Sequence, residues 1–305
     1  PQVREILAEG PTKSSVITKD DIHVDVRVVE PISFGAALQY FTGSKAHNIK
    51  LRELAIKRGL KINEYGVFEA KTGQRITGEK EEEVYRILDL PFIPPELRED
   101  RGEIETAQEN KLPELIEYSQ IKGDLHLHTK WSDGAHTIKQ MAEAAKKRGY
   151  KYIAITDHSQ SLKFAGGLTE ERLREETEEI RRLNQELNDF TVFTGIEVDI
   201  KSDGSLDFSD EILSKLDVVI AAIHSGFKQE SKIITGRIIK AMQNKLVNII
   251  AHPTGRLIGY REAYQVDINK IMDVAAETGT ILEINAYPER LDLNDVYCRM
   301  AKDRG

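Results

Sequence analysis

The chain has 305 residues, of which 40% are hydrophobic and 31% are charged, and its formal net charge is −8. This composition is typical of a globular protein with one barrel-sized domain and one smaller domain. The charge argues against a uniformly basic nucleic-acid-binding protein, and no apolar run approaches the roughly 18 residues of a membrane span. A single cysteine, Cys298, excludes an internal disulfide and fits a reducing compartment, so we expect a cytoplasmic protein without a membrane partner.

The first hundred residues predict a small region of mixed helices and strands. Residues 3–7 have a helix-like pattern, whereas residues 22–29 alternate between apolar and polar side chains. This alternation predicts a half-buried strand with Asp25 on its polar face. Three further helices are predicted, over residues 33–39, 46–58 and 79–88, the second ended by Gly59 and the third by prolines.

The second of these helices has an excess of positive charge. Its basic residues and those flanking it are Lys45, Lys50, Arg52, Lys57, Arg58 and Lys61, with Glu53 as the opposing acid. A basic run is most often a solvated face. Here Gly43 and Ser44 lead into the start of the helix, where backbone N–H groups are available to a phosphate.

Three separated motifs in this region resemble family X DNA polymerases, the DNA polymerase beta superfamily. They are Val-Asp-Val-Arg at 24–27, Phe-Gly-Ala-Ala-Leu-Gln-Tyr-Phe-Thr-Gly-Ser at 34–44, and Ile-Asn-Glu-Tyr-Gly at 62–66. The resemblance implies that residues 1–30 end a polymerase palm, that residues 31–98 form a thumb, and that Asp25 is one carboxylate of a Mg²⁺-dependent polymerase site. It implies that the nucleotide and the DNA are contacted by Tyr40, Phe41, Gly43, Ser44, Asn48 and Arg52.

Two-metal phosphoryl transfer needs carboxylates that bridge both ions. The Asp-x-Asp pair and the triphosphate-binding loop of family X precede the position that matches Pro1. We therefore expect this chain to be part of a longer polymerase and to have no polymerase activity itself. Residues 99–120 are highly charged and interrupted by Gly102 and Pro113, which predicts a linker.

From residue 121 onward, predicted strands alternate with predicted helices. The strands are expected at residues 124–128, 152–156, 191–199, 218–224, 247–252 and 280–285. This alternation predicts an α/β fold with a parallel sheet, and six successive units favour a barrel over the alternative, an open doubly wound sheet.

The predicted strands end in side chains that ligate metals. These side chains are His126, His128, Asp157, His158, Glu197, Asp199, His224, His252 and Asn285. Each one alone has an ordinary explanation as a core, capping or ion-paired residue. Because the carboxyl ends of barrel strands meet at one face, the whole set predicts a cluster of ions. Nitrogen and carboxylate ligands without a thiolate suit Zn, Mn or Fe.

The order His-x-His, Thr-Asp-His, Gly-Ile-Glu-Val-Asp, Ala-Ile-His-Ser and Ala-His-Pro resembles the polymerase and histidinol phosphatase (PHP) domain. The resemblance implies a distorted TIM-like (β/α)7 barrel over residues 121–305 with up to three divalent ions, Mn or Zn. It assigns His126, His128 and Glu197 to one ion, Glu197, His224 and His252 to a second, and Asp133 with His158 to a third. The family's last strand, with its Asp-x-His motif, would follow Gly305, so we expect a truncated barrel in which the second ion alone has a complete ligand set.

Our leading hypothesis is a metal-dependent 3′–5′ exonuclease within a DNA repair polymerase, with the thumb binding a primer 3′ end on gapped or single-stranded DNA. Lys130, Arg256 and Arg290 are candidates to bind the phosphate, and a monomer is expected. Two alternatives are a small-molecule phosphomonoesterase of the histidinol phosphatase type and a structural DNA-tethering module.

Overall fold

The structure is a computed structural model that describes residues 2–305. The chain divides into two compact units, one ending at Leu115 and the other spanning Ile116–Gly305. Among the described residues, no helix is both long enough and apolar enough to cross a bilayer.

The first unit begins with an antiparallel sheet in the order β1-β2-β3. Its strands are β1 (Val3–Glu9), β2 (Lys13–Thr18) and β3 (His23–Arg27). The prediction of a helix over residues 3–7 is wrong, because a reversal after Glu9 pairs this segment with β2, placing Val3 opposite Thr18. The prediction of a half-buried β3 is also wrong. β3 is an edge strand, and all five of its residues are exposed in the part of the chain that the structure describes.

The rest of this unit packs helices around a second antiparallel sheet, β4-β5-β6. The elements are α1 (Phe34–Thr42), α2 (Lys45–Lys57), β4 (Leu60–Asn63), β5 (Gly66–Glu69), β6 (Arg75–Thr77), α3 (Glu81–Arg86) and α4 (Glu103–Gln108). Leu51, Val67 and Val84 are fully buried between them. The charged stretch predicted as a linker contains α4, since Ile104 and Ala107 contribute apolar surface to this core.

The second unit contains six parallel strands that neighbour one another in chain order. They are β7 (Gly123–Leu127), β8 (Tyr152–Ile155), β9 (Thr191–Asp199), β10 (Val218–Ala222), β11 (Ile249–Ile250) and β12 (Ile281–Leu282). The intervening helices are α5 (Ile138–Lys147), α6 (Glu170–Glu186), α7 (Asp210–Leu213), α8 (Ser231–Met242) and α9 (Ile268–Thr278), and α10 (Asp295–Lys302) follows β12.

Strand order distinguishes a barrel-type sheet from a doubly wound one, because the order reverses at a switch point in a doubly wound sheet. In this unit the order runs from β7 to β12 without reversal. The predicted α/β fold with a TIM-like parallel sheet is therefore confirmed, and the doubly wound alternative is wrong.

Capping side chains mark where four helices of this unit begin. Thr137, Thr169, Asp267 and Asn294 each accept a hydrogen bond from a backbone N–H in the first turn of the following helix. Such caps satisfy N–H groups that have no partner within the helix. Helices that start in this way return the chain to the opposite end of the sheet, so all six strands present their carboxyl ends on one side.

Candidate metal centre

The site is organised around Glu197, which lies in β9 and is 1% exposed. Its carboxylate is surrounded by the imidazoles of His126, His128, His158, His224 and His252. Oε1 lies 3.0 Å from His252 Nε2, 3.4 Å from His224 Nε2 and 3.5 Å from His126 Nε2. Oε2 lies 2.7 Å from His158 Nδ1 and 3.7 Å from His128 Nε2. A fully buried carboxylate is thus enclosed by five rings from different parts of the sequence.

The parallel sheet explains this convergence. His126 lies in β7, and His128, His158, His224 and His252 follow the carboxyl ends of β7, β8, β10 and β11. A parallel bridge between His158 and Glu197 continues the pairing of β8 and β9 beyond β8. The residues predicted at the strand ends are therefore brought to one side of the sheet, as the barrel interpretation requires.

Asp133 joins the cluster from the loop after β7. Its carboxylate is half exposed, with Oδ1 3.8 Å from His128 Nδ1 and Oδ2 3.6 Å from His158 Nε2. Among the described residues, three groups have ligand atoms within 4.8 Å of one another: His126, His128 and Glu197; His128, Asp133 and His158; and His158, Glu197 and His224. The first group is the same as one predicted ligand set, and His128 is added to the predicted pair of Asp133 and His158. The third group differs from the remaining predicted set, since it contains His158 in place of His252.

Unpartnered atoms show that these residues suit metal ions. Within residues 2–305, buried atoms without a hydrogen-bond partner include His128 Nδ1, His158 Nδ1, His252 Nδ1 and Glu197 Oε2. His158 Nδ1 is near Glu197 Oε2, but the two do not have hydrogen-bond geometry. Buried polar atoms without partners are costly and need an explanation. Clustered imidazole nitrogens and carboxylate oxygens fit divalent ions of the Zn, Mn or Fe type.

The electrostatics of the cluster differ between its ligands. Burial alone would raise the pKa of Glu197, but the imidazoles of His224 and His126 hold it well below the ordinary value. Burial lowers the pKa of His252 below its ordinary value, although a hydrogen bond to Glu197 opposes the shift. An ionised carboxylate and neutral imidazoles are the ligating forms of these groups, so Glu197 and His252 are already in that form. Burial would lower the pKa values of His126 and His224, but the Glu197 carboxylate raises them to about 10 and about 9, so a metal ion would displace a proton from each of these two rings.

Glu283, just beyond β12, is a site residue that the sequence interpretation missed. Its Oε1 lies 2.5 Å from His126 Nδ1, and its Oε2 accepts a 2.6 Å hydrogen bond from the backbone N–H of His252. His252 has a φ of +28°, an uncommon value for a residue other than glycine, and this contact helps to hold it. Glu283 thus contacts the imidazole of His126 and the backbone of His252, and so supports two ligands from two strands. Glu283 lies two residues before Asn285 in the segment predicted as a strand, on the same face, and this spacing is the sequence signal that could have identified it.

Asp199 and Asp157 support the other ligands. Asp199 Oδ1 lies 3.1 Å from His224 Nδ1. Asp157 accepts hydrogen bonds from the backbone N–H of Thr129 at 2.8 Å, from Thr129 Oγ1 at 2.6 Å and from the hydroxyl of Ser132. These contacts fix the loop that carries Asp133.

The three candidate phosphate-binding residues differ in how their donors are used. Lys130 is exposed. Arg256 donates from Nε to the carbonyl of Arg290 at 2.7 Å and from Nη2 to that of Leu291. Arg290 Nη1 is buried and has no hydrogen-bond partner among the described residues, so it is the donor best suited to an anion.

In the first unit, local hydrogen bonds fix the conformation of the segment between α1 and α2. Ser44 caps α2 by accepting a hydrogen bond from the N–H of His47, 3.1 Å away. Asn48 is buried and donates to the carbonyls of Tyr40 at 2.8 Å and Gly43 at 3.1 Å. Asn48 therefore shapes the turn, whereas the Phe41 ring is exposed.

The two remaining residues predicted for this unit lie on β3 and α2. Arg52 donates from Nε to the carbonyl of Asn48 at 3.2 Å. Asp25 accepts a 2.5 Å hydrogen bond from Ser15 Oγ and pairs with Lys13 Nζ at 2.9 Å, contacts that lower its pKa to about 2. The Asp25 side chain is thus ionised and accessible on an exposed strand.

Comparison with known proteins assigns a family to each unit. The DNA polymerase beta thumb family matches residues 37–99, and the PHP domain family matches residues 124–287. Both resemblances found in the sequence are confirmed. The sequence is 49% identical to the DNA polymerase/3′-5′ exonuclease PolX of Bacillus subtilis, in an alignment that covers 100% of this chain and 54% of that protein.

Other relatives match part of the chain. A probable phosphatase of Thermoanaerobacter sp. (strain X514) is 34% identical over 53% of this chain and 63% of its own length. The chain thus spans between half and two thirds of these curated relatives. A crystal structure of Leishmania infantum polymerase beta shares 26% identity over 32% of this chain and 47% of its own, with a TM-score of 0.29.

Proposed function

Since the chain belongs to the PHP domain family, we propose that its barrel site hydrolyses phosphodiester bonds at the 3′ end of DNA. The observation that carries this proposal is the buried carboxylate of Glu197 with its five imidazoles and the unpartnered atoms among them. Such an array suits a cluster of Mn or Zn ions, and phosphoester hydrolysis is the chemistry for which clustered divalent ions are typical.

The ligands for this cluster would be His126, His128, Asp133, His158, Glu197, His224 and His252. When bound, divalent ions supply a nucleophilic water at neutral pH and neutralise charge on the phosphoryl oxygens. Arg290 would bind a non-bridging oxygen through its buried Nη1 atom, which has no hydrogen-bond partner within residues 2–305. Glu283 and Asp199 would hold His126 and His224 in their ligating orientation.

The first unit supports DNA as the substrate class. It matches the DNA polymerase beta thumb family, and its basic helix α2 starts at the Ser44 cap beside an exposed Phe41. A helix start with positive side chains suits a phosphodiester backbone. The relative in Bacillus subtilis is named as a polymerase and 3′-5′ exonuclease, which agrees with hydrolysis at a 3′ end.

A second candidate is hydrolysis of small phosphomonoesters. The Thermoanaerobacter relative is named a probable phosphatase, and the ligand set alone is compatible with either ester class. This function would need no contribution from the first unit, so it predicts activity without DNA.

The test combines metal content with two substrates. Protein purified without chelator is analysed by mass spectrometry for bound metal, and is then assayed with Mn²⁺ on a 3′-labelled single strand and on p-nitrophenyl phosphate. The proposal predicts bound divalent metal and stepwise release of nucleotides from the 3′ end. Hydrolysis of p-nitrophenyl phosphate alone would select the second candidate, and hydrolysis of neither substrate would refute both.

A matched pair of histidine variants separates chemistry from folding. His126→Ala removes a predicted ligand, whereas His136→Ala removes an exposed imidazole from the loop before α5. We expect His126→Ala to lose metal and hydrolysis while DNA binding persists, and His136→Ala to behave as the unchanged protein. Loss of folding in His126→Ala without any hydrolysis by the unchanged protein would favour the structural module.

A further inference from the structure

Three large aromatic side chains are exposed in loops on the same side of the sheet as the Glu197 cluster. Phe164, Tyr260 and Tyr287 are 88%, 78% and 58% exposed. They lie in the loops that follow β8, β11 and β12, the strand ends that also carry His158, His252 and Glu283. Large aromatic side chains usually bury much of their area, so three exposed ones around one site indicate a binding surface.

The loop that carries Phe164 is internally fixed. The N–H of Leu168 donates to the carbonyl of His158 at 2.7 Å, and the N–H of Ala165 donates to that of Leu162 at 3.1 Å. Leu162 and Ala165 are buried, so the loop places its smaller apolar side chains inside and its largest one, Phe164, outside. The exposure of the ring is therefore imposed by an ordered backbone.

The loops that carry Tyr260 and Tyr287 are tied to each other. The N–H of Ile258 donates to the carbonyl of Glu289 at 2.5 Å, and Leu257 and Arg261 form a bridge on either side of Tyr260. The N–H of Tyr287 donates to Asn285 Oδ1 at 3.1 Å. Two rings are thus presented from one joined pair of loops, apart from the loop of Phe164.

Cations lie in these loops beside the exposed rings, together with acids such as Glu262 and Glu289, so the charge of the loops is mixed. Lys163 is next to Phe164, and Arg256 and Arg290 are in the loops of Tyr260 and Tyr287. Exposed aromatic rings combined with cations are the recognition chemistry of single-stranded nucleic acid, because bases stack on the rings and phosphates pair with the cations.

We propose that Phe164, Tyr260 and Tyr287 form a base-stacking platform for the unpaired 3′-terminal nucleotides of a DNA strand. This inference rests on the proposed function, since it places the scissile phosphodiester at the metal cluster between the rings. Bases within a duplex cannot stack on protein side chains without leaving their partners. The platform therefore makes an unpaired 3′ end the preferred substrate over a blunt duplex end.

The test measures stacking separately from hydrolysis. The protein with its bound metal is mixed with a short single strand that has 2-aminopurine as its 3′-terminal base and phosphorothioates at the last linkages, which slow cleavage. We expect the fluorescence of 2-aminopurine to be quenched on binding. Phe164→Ala should weaken binding by roughly tenfold and remove most of the quenching, while Phe164→Trp should retain both. Tyr260→Ala with Tyr287→Ala should also weaken binding.

Tyr118 provides the matched control. It is 93% exposed in the same unit, but it precedes β7 and so lies at the amino end of the strands. Tyr118→Ala should leave affinity and quenching unchanged. Equal affinity for the unchanged protein and Phe164→Ala, or an equal loss in Tyr118→Ala, would refute the platform. If quenching occurs but the corresponding phosphodiester strand is not hydrolysed, the proposed function fails while the platform stands.

Discussion

Glu103 and Glu197 are buried carboxylates that contact histidine, and their surroundings differ. In the first unit, Glu103 Oε1 lies 2.6 Å from His47 Nδ1, while His47 Nε2 lies 3.1 Å from the Tyr85 hydroxyl. Glu103 also accepts hydrogen bonds from the backbone N–H groups of Asp100 at 2.9 Å and Arg101 at 2.7 Å. In the second unit, Glu197 and three of its histidines retain buried atoms without partners.

This difference separates a structural contact from a candidate site. Both ring nitrogens of His47 and both oxygens of Glu103 have protein partners, so the pair needs nothing further. Around Glu197, five imidazoles converge on one carboxylate that cannot satisfy them all. A site for ions requires ligand atoms that are not already used in hydrogen bonds, and this buried cluster contains such atoms.

Among the substitutions that test this difference, Glu197→Gln is expected to have the largest effect. The substitution keeps the shape of the side chain but removes the central charge and one ligating oxygen. We expect metal content to fall below one ion per chain and 3′-end hydrolysis to fall by more than about a hundredfold, since even outer partners of a metal site contribute about ten- to a hundredfold in affinity. Mass spectrometry of bound metal and a labelled-strand assay measure the two losses.

The single tryptophan checks that this loss is local. Trp131 is in the second unit and donates from Nε1 to Glu179 at 3.0 Å, so its fluorescence reports on that unit. An unchanged emission spectrum for Glu197→Gln is expected in the presence of metal. Full metal content and activity in this variant would contradict the assignment of Glu197 as the centre of the site.

Glu103→Gln is the corresponding substitution at the pair of His47 and Glu103, in which both ring nitrogens and both carboxylate oxygens have partners. It leaves His47 buried beside a neutral amide that cannot accept both backbone N–H bonds, and a buried group left without its hydrogen bond costs about 1–3 kcal/mol. We expect faster hydrogen exchange across α2, measured by mass spectrometry on its peptides, with no change in bound metal. The exposed pair of Lys50 and Glu105 supplies the control, because Glu105→Gln should cost no more than about 1 kcal/mol. Equal rates of hydrogen exchange across α2 in Glu103→Gln and Glu105→Gln would show that the buried pair stabilises the unit no more than the exposed pair does.

Sequence patterns predicted the barrel better than the first unit, and the reason is physical. In the second unit, strand alternation, helix caps and polar strand ends all indicate the same fold, so the local signals agree. At residues 3–7, the pairing of β1 with β2 decides the structure, and a local helical pattern contains no information about that partner.

The site itself was predicted where the side-chain type was distinctive. Histidines at strand ends are uncommon enough to be found by position alone. Glu283 was missed because a single glutamate in a short strand resembles an ordinary surface residue until its contacts with His126 and His252 are known. Sequence alone also gave no indication that α4 would complete the core of the first unit, since its apolar residues are few among many charges.

Glu283→Gln tests whether the contacts of Glu283 with His126 and His252 affect metal binding at the Glu197 cluster. The amide still reaches His126 and His252 but holds no charge to fix the imidazole of His126 in one orientation. We expect metal affinity, measured by chelator competition, to fall about ten- to a hundredfold, with hydrolysis restored at high metal concentration. Glu277→Gln, at an exposed position on α9, should leave affinity unchanged. A loss of activity that added metal does not restore would argue against an orienting role.

The pH dependence of the His47 and Glu103 pair gives the smallest expected effect. Burial lowers the pKa of His47 below its ordinary value of 6.5, and the hydrogen bond from His47 together with backbone N–H groups holds the pKa of Glu103 below 4.5 against the opposing effect of burial. Both groups therefore bind protons more readily in the unfolded chain, so their contribution to stability is present at neutral pH and lost on acidification. Exchange across α2 should accelerate below about pH 6.5 and again below about pH 4.5 relative to Glu103→Gln, whose own exchange should change less. If the difference in exchange rate across α2 between the unchanged protein and Glu103→Gln stays constant from pH 7 to about pH 4, the pKa values of His47 and Glu103 are not shifted in the way that their contacts require.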